Sequence, residues 1–295
     1  MKFHTPVMLE EILGYLNLSP GKVIVDATLG TGGHTEAVLG RISPCGKLIG
    51  IDRDQVSLKV AKTRLRNYAE YCEFVYGNFS DIDVILKKLN IKKVDGILFD
   101  LGISSFQLEE PERGFSFQSD GPLDMRLDRN THISAYDLVN NLNEEEISHL
   151  LWSFGQERWH NRIARFLVKE RGKRPISTTS ELTQVVVRAI PYRYRHYRIH
   201  AATRTFQALR IAVNRELETL ESGIVKAIAA LEKNGRICVI SFHSLEDRIV
   251  KLKFRLAAQE GLIKIITPKP LTPGETEARV NPSSRSSKLR VAERL

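Results

Sequence analysis

Between residues 23 and 100 the apolar positions fall in short β-branched runs separated by stretches of helical period. Val23–Gly30 predicts a strand, after which Gly32-Gly33 opens a helix pattern lasting to about Gly40. Leu48–Asp52 predicts a second strand, followed by the helix-like Gln55–Ala69. Cys72–Tyr76 predicts a third, Ile82–Leu89 a helix, and Val94–Asp100 a fourth strand. Such alternation predicts a mostly parallel, doubly wound α/β sheet with helices on both faces. The rhythm stops after Gly102. Ser104–Asn130 is rich in Gly, Pro, Asp and Arg without any period and reads as a long loop, a type that is usually functional or disordered. From Tyr136 the pattern is helical only. A capping box at Asn143-Glu-Glu-Glu146 opens a helix to Phe154, and Arg158–Arg171, Thr179–Ile190 and Ala201–Leu217 follow. Alternation then resumes with a helix Glu221–Lys233 ended at Gly235, a strand Arg236–Phe242 and a helix Leu245–Ala257. Edge strands are expected at Leu262–Ile266 and Leu289–Ala292, around the Pro-rich stretch Pro268–Pro282. One α/β domain, residues 1–108 with 216–295, is therefore expected to carry an inserted all-helical domain, residues 109–215.

Composition narrows the classes. With 295 residues, 42% hydrophobic and 27% charged, the chain can bury a core, and global disorder is excluded. No apolar run approaches the ~18 residues of a membrane span, and acids inside the first apolar stretch argue against a secretion signal. Cys45, Cys72 and Cys238 are odd in number and widely separated, which frames neither disulfides nor a zinc site; a cytoplasmic protein without metal is expected. The net charge of +9 is concentrated: Arg158–Arg215 holds fourteen Lys and Arg against Glu170 and Glu181, a balance of +12, and leaves the rest of the chain at −3.

Candidate chemistry gathers at strand ends. In Val25-Asp-Ala-Thr-Leu-Gly-Thr-Gly-Gly-His34, glycines at 30 and 32 let the backbone approach a nucleotide. The third glycine of a dinucleotide fingerprint would fall at Thr35, and no G-x-x-x-x-G-K-[ST] loop is present, so neither NAD nor ATP is favoured. Asp52, ending the second strand, is placed to accept hydrogen bonds from both hydroxyls of a ribose; the alternative is a surface acid beside a tight turn. Asp100 ends the fourth strand, either beside the reactive end of a cofactor or as the cap of a turn. Together these features resemble the S-adenosylmethionine-dependent methyltransferases of the Rossmann-like class.

Longer strings make the resemblance specific. They are Asp100-Leu-Gly-Ile-Ser-Ser105, Glu112-Arg-Gly-Phe-Ser-Phe117, Gly121-Pro-Leu-Asp-Met-Arg126, Ala202-Thr-Arg-Thr-Phe-Gln-Ala-Leu-Arg-Ile211 and Ser241-Phe-His-Ser-Leu-Glu-Asp-Arg-Ile-Val-Lys251. With His4-Thr-Pro-Val-Met8 and Asn281-Pro-Ser-Ser-Arg-Ser-Ser-Lys-Leu-Arg290, the chain resembles, nearly end to end, the ribosomal RNA small subunit methyltransferase H family, also called MraW. The resemblance implies a Rossmann-like class I methyltransferase fold and a bacterial enzyme that uses S-adenosylmethionine to methylate N4 of a cytidine in the decoding region of small-subunit ribosomal RNA. By position it implies that Gly32, Gly33, His34, Asp52, Phe79, Asp100 and Gln107 contact S-adenosylmethionine; independently, an acceptor on the amine N–H would help methyl transfer, and Asp100 is the catalytic candidate for it, with the neighbouring backbone carbonyls as the alternative. Asp52 would hold the ribose, Phe79 would pack on the adenine or simply in the core, and Gln107 would reach back from the loop. Ala201, Gln156, Phe106 and Ser283 depart from the family pattern, at none of these cofactor positions.

Arg188–Arg198 interleaves three tyrosines with four arginines, among them Arg193, Arg195 and Arg198. Guanidinium forks and aromatic faces suit phosphates and unpaired bases, so RNA contact is expected there, against the alternative of a solvated connection. Trp152, Trp159 and Phe166, at helical spacings, read as the insert's own core, and His160, His196 and His200 have no metal-ligand spacing. Arg113, Asp124 and Arg126 lie in a loop placed either to close over a flipped base or to be pinned by an Asp124–Arg126 pair. His243 or Glu246 is expected to line the same pocket, although Glu246 and Asp247 equally suit a helix's first turn.

The expected partner is small-subunit ribosomal RNA, as an assembled subunit, with the enzyme a monomer or homodimer. Methyl transfer to an amine requires no covalent nucleophile, and no cysteine sits in a strand-end motif, which favours N- over C5-methylation. The competing class is a non-catalytic RNA-binding or assembly protein; a DNA or metabolite substrate is disfavoured by the basic insert.

Overall fold

The computed structural model describes residues 5–195 and 199–295. Its first half runs α1 (Leu9–Tyr15), β1 (Val23–Asp26), α2 (Gly33–Ile42), β2 (Lys47–Asp52), α3 (Gln55–Arg64), β3 (Cys72–Tyr76), α4 (Ile82–Lys88) and β4 (Val94–Asp100). Helices alone follow: α5 (Ser105–Glu109), α6 (Ala135–Asn141), α7 (Glu144–Gly155), α8 (His160–Arg171), α9 (Thr179–Ala189) and α10 (Thr203–Asn214). Then come α11 (Glu216–Ala230), β5 (Leu231–Ser241), α12 (Ser244–Gln259), β6 (Ile263–Ile265), α13 (Glu275–Val280) and β7 (Lys288–Arg294). The chain folds into two compact units, Met1–Gly102 with Leu217–Leu295, and Ile103–Glu216. The first break falls at Gly102, whose φ of +95° turns the chain away from β4.

The first unit is a seven-stranded sheet in the order β3-β2-β1-β4-β5-β7-β6. The five strands from β3 to β5 are parallel, and β7 runs antiparallel between β5 and β6. The parallel strands are apolar on both faces because helices cover both. Ile85, Ile224, Val250 and Phe254 pack against one face, and Ile12, Val38, Leu39 and Leu58 against the other. Each fully buried aliphatic side chain contributes about 1.5–3 kcal/mol. The resulting rigid sheet brings Asp26, Asp52, Asp100 and Ser241 out at one edge, the carboxyl ends of its parallel strands.

The second unit is all-helical around its own core, which includes Phe115, Leu151, Ile163, Val186 and Leu209. Its helices start where polar caps satisfy the first free N–H groups: Ser134, Asn143 and Thr178 each close a reciprocal capping box. Several expected boundaries move: β1 ends at Asp26 rather than Gly30, and α3 at Arg64 rather than Ala69. The supposed loop contains α5, opened by a Ser104–Gln107 capping box. The helix expected over Ala201–Leu217 breaks at Arg215, whose φ of +48° ends α10 before α11 begins. β5 starts at Leu231 rather than Arg236, because a register shift with Asn234 at φ +63° lets Leu231 pair with Val94.

Candidate functional site

The turn after β1 needs glycine at two places. Gly30 and Gly32 sit at φ +52° and +81°, and Gly32 caps α2. A side chain at Gly33 would come within 2.8 Å of Pro6, so the N-terminal segment lies directly on the start of α2. The Gly30 N–H donates to Asp52 Oδ2 at 2.7 Å and the Asp54 N–H to Oδ1 at 2.8 Å. Each oxygen of Asp52 therefore keeps acceptor capacity for a ligand hydroxyl along its open edge. Enclosure by protein pushes Asp52 up to about 6.

Asp100 is held by its backbone, whose N–H donates to Thr28 Oγ1 at 2.6 Å. Its Oδ2 lies 3.5 Å from His34 Nδ1, and its Oδ1 is buried with no hydrogen-bond partner. Burial, reinforced by the negative charge of Glu246, pushes Asp100 up to about 7. His34 is 6% exposed, its Nε2 lies 2.8 Å from the Val7 carbonyl, and burial lowers its pKa. Sequence reasoning missed Asp26 and Thr28. Asp26 ends β1 as Asp52 ends β2, which is the signal that was present. It accepts from Thr35 Oγ1 at 2.7 Å and from the Thr28 N–H at 3.2 Å, and burial raises it to about 6.

Phe79 stands half-buried in a short turn after β3. Its ring meets the edge of Phe99 at 5.3 Å, and a side chain at Gly223 of α11 would come within 2.6 Å of it. It is thus packed on one side and open on another. His243 and Glu246 form the capping box of α12. Glu246 Oε2 accepts from the Phe242 and His243 N–H groups at 2.8 and 3.3 Å, while His243 Nδ1 accepts from the Glu246 N–H at 3.4 Å. Asp247 pairs with Arg290 at 2.6 Å and is held below the usual carboxylate range by that contact, burial notwithstanding. The helix-start role of these acids is realised.

In the second unit several expected contacts are corrected. Arg113 is 1% exposed and donates from Nη2 to the Arg126 and Leu127 carbonyls at 3.1 Å each, so it braces the loop instead of facing RNA. Arg126 grips Asp124 bidentately at 2.8 and 2.9 Å and donates to the Thr131 carbonyl at 2.7 Å, which is the pinned-loop alternative. Gln107 is buried, its side-chain oxygen accepting from the Ser104 N–H at 3.0 Å. Trp152, expected in the core, is 56% exposed on α7, whereas Trp159 and Phe166 do pack against the core. Arg195 turns inward to the Ile190 carbonyl at 2.9 Å; Arg193 is exposed, 4.7 Å from the Tyr194 ring; Arg198 lies outside the described residues. Arg158 lies over the rings of Trp159 and Tyr194, and Arg162 over Phe166. With Arg165 and Lys169 they make an exposed row, Arg158 in the turn before α8 and the other three at helical spacing along it.

The raised acids have a pH consequence. A carboxyl whose folded pKa exceeds its unfolded value adds stability that is complete below about pH 4 and is lost as pH rises through the folded value. For Asp100 the window is from about 4 to about 7. The stability of wild type minus that of Asp100→Asn should therefore fall by roughly 2 kcal/mol between pH 4 and 8, after allowance for partial exposure. Denaturant unfolding at both pH values measures the gap, and a constant gap would mean that Asp100 titrates normally.

The reversed seventh strand distinguishes this sheet from the dinucleotide-binding arrangement, and it places the chain in the Rossmann-like class I methyltransferase fold. Within that class the match is specific. The sequence pattern of the MraW methylase family covers residues 1–295, and the chain belongs to that family. It is 48% identical to the ribosomal RNA small subunit methyltransferase H of Halothermothrix orenii, over 99% of this chain and 98% of that one. The protein of the same name from Clostridioides difficile is 45% identical over the full length of both. Likeness to solved structures is distant: an rRNA methylase from Streptococcus thermophilus aligns with 97% of this chain and 92% of its own at 12% identity and a TM-score of 0.44.

Proposed function

We propose that this protein transfers the methyl group of S-adenosylmethionine to N4 of a cytidine in the decoding region of small-subunit ribosomal RNA. The observation that carries the reading is the buried, unpartnered Oδ1 of Asp100 at a strand end beside the glycine turn. The residues present fit the cofactor. Gly30 and Gly32 leave the backbone bare, Asp52 keeps acceptor capacity for ribose hydroxyls, and Phe79 offers an aromatic face for adenine. When bound, the cofactor supplies an electrophilic methyl group on a sulfonium. The protein's part is to orient the amine, exclude water and accept an N–H at Asp100 Oδ1, which localises the nitrogen lone pair. C5 chemistry would need a thiolate. Cys72 and Cys238 are buried with raised pKa values, and Cys45 precedes β2, at the opposite end from the site.

The insert supports RNA as the polymer. The row Arg158, Arg162, Arg165 and Lys169, together with Arg193, the 74%-exposed Tyr192 and the exposed Trp152, combines phosphate-binding charge with stacking surface. The decisive assay is transfer of labelled methyl to unmodified small ribosomal subunits and, separately, to naked ribosomal RNA, with digestion to nucleosides. N4-methylcytidine on the subunits is the expected product. Asp52→Ala should weaken S-adenosylmethionine binding by roughly 10- to 100-fold, the cost of leaving ribose hydroxyls unpaired. Salt-sensitive RNA binding with no cofactor binding in wild type would instead indicate a non-catalytic RNA-binding protein.

A further inference from the structure

Resting on the role of Asp100 as acceptor of the amine N–H, we infer that His34 is a positioning residue that holds the proton it shares with Asp100 on the Oδ2 side, keeping Oδ1 a proton-free acceptor. The geometry dictates the tautomer. A carbonyl only accepts, so the His34 Nε2 facing Val7 O at 2.8 Å carries a hydrogen. In the neutral ring Nδ1 then holds a lone pair, and it faces Asp100 Oδ2 at 3.5 Å. Two lone pairs in that position repel, and one proton between them satisfies both, whether the pair is written as acid and imidazole or as carboxylate and imidazolium. In either form Oδ1 bears no hydrogen, and Oδ1 is the atom left buried without a partner. A separation of 3.5 Å suits a pair that tightens when its ligands arrive.

The surroundings favour retention of that proton. Asp26 of β1 and Glu277 of α13 face His34, Glu246 of α12 faces Asp100, and the cation set against these acids is Arg64 of α3. In methyl transfer the N4–carbon bond forms as the sulfur–carbon bond breaks, and the sulfonium charge disappears. N4 then releases one proton to Oδ1, so the pair, neutral with one proton, becomes a cation with two, and the overall charge is conserved. Release of that proton to water resets the pair. His34 thereby acts through Asp100.

Two substitutions separate the ring's two contacts. His34→Gln retains an Nε2 donor for Val7 O and loses the group at Nδ1; His34→Asn retains an amide near Nδ1 and loses the Val7 contact. For the glutamine variant we expect kcat to fall about 10- to 100-fold, KM for S-adenosylmethionine to stay within about 2-fold, and the midpoint of the kcat–pH profile to move. The asparagine variant should recover most of the turnover. A second measurement needs no substrate: the infrared carboxylic-acid band of the free protein, assigned by its loss in Asp100→Asn, should shift in His34→Gln. An unshifted band, or lost cofactor affinity with kcat intact, overturns the inference. If wild type methylates no small subunit, the proposed function fails while the infrared comparison still decides the His34–Asp100 pair. If the glutamine variant does not fold, the ¹⁵N signal of His34 Nδ1 in wild type and Asp100→Asn takes its place, and an unmoved signal is equally fatal.

Discussion

Asp100→Ala should lower the single-turnover rate of methyl transfer by roughly two to four orders of magnitude, the range associated with loss of a positioned proton acceptor. The expectation follows from where the acid stands. β4 is an inner strand between β1 and β5 whose last residue lies in register with Ile240 of β5, so the position of Asp100 is set by the sheet. The Thr28 hydroxyl fixes its backbone N–H, and its carboxyl Oδ2 lies 3.5 Å from His34 Nδ1. Burial leaves Oδ1 without solvent, so an amine hydrogen bonded to it is worth more than in water. Asp100→Asn should lose nearly as much, because the amide keeps the shape but accepts a proton poorly. Calorimetry of S-adenosylmethionine binding separates the roles. The dissociation constant should rise by no more than about 10-fold, placing most of the loss in the chemical step. Near-normal turnover with intact cofactor affinity would remove Asp100 from the chemistry.

What could be read from the amino acids differs between the two units for a physical reason. In the first, burial on both faces forces continuous β-branched strands, and glycine at 30 and 32 answers a conformational demand visible in the residue type itself. The strand-end acids were legible for the same cause, since a charged residue closing an apolar run stands out. Asp26 escaped because the expected strand ran on to Gly30 and placed it in the interior, whereas β1 ends at Asp26, whose oxygens accept from Thr28 and Thr35. In the second unit, what decides a residue's role is tertiary. No local pattern shows that Arg113 turns inward while Arg158 and Arg162 stay exposed over half-buried rings, or that Trp152 faces water while Trp159 packs. The short helix α5 was likewise hidden within a Gly- and Pro-rich stretch, although its Ser104–Gln107 capping spacing was present. Local chemistry predicts caps and turns; which face of a charged segment is buried depends on partners far away in the chain.

Arg113 supplies the sharpest test of that distinction. Its side chain is the largest fully buried one among the described residues, and its Nη2 bridges the carbonyls of Arg126 and Leu127. The same segment is pinned again by Asn214, whose Oδ1 accepts from the Leu127 N–H at 2.8 Å and whose Nδ2 donates to the Met125 carbonyl at 2.7 Å. Gly114 and Gly121 pass so close to backbone that a side chain would collide with the Pro122 oxygen at the first and the Pro111 oxygen at the second. The loop is therefore a tightly determined piece of structure assembled around a buried cation. Arg113→Ala removes charge-assisted hydrogen bonds worth about 1.5–3 kcal/mol each and opens a cavity of side-chain size. A loss of about 3–5 kcal/mol is expected. In a unit of this size that lowers the melting temperature by on the order of 10 °C. Amide exchange should quicken over 113–127, while RNA affinity per folded molecule below the new transition stays within about 2-fold. An RNA-contacting arginine would give the opposite pattern: weakened, less salt-dependent binding with the melting temperature unchanged.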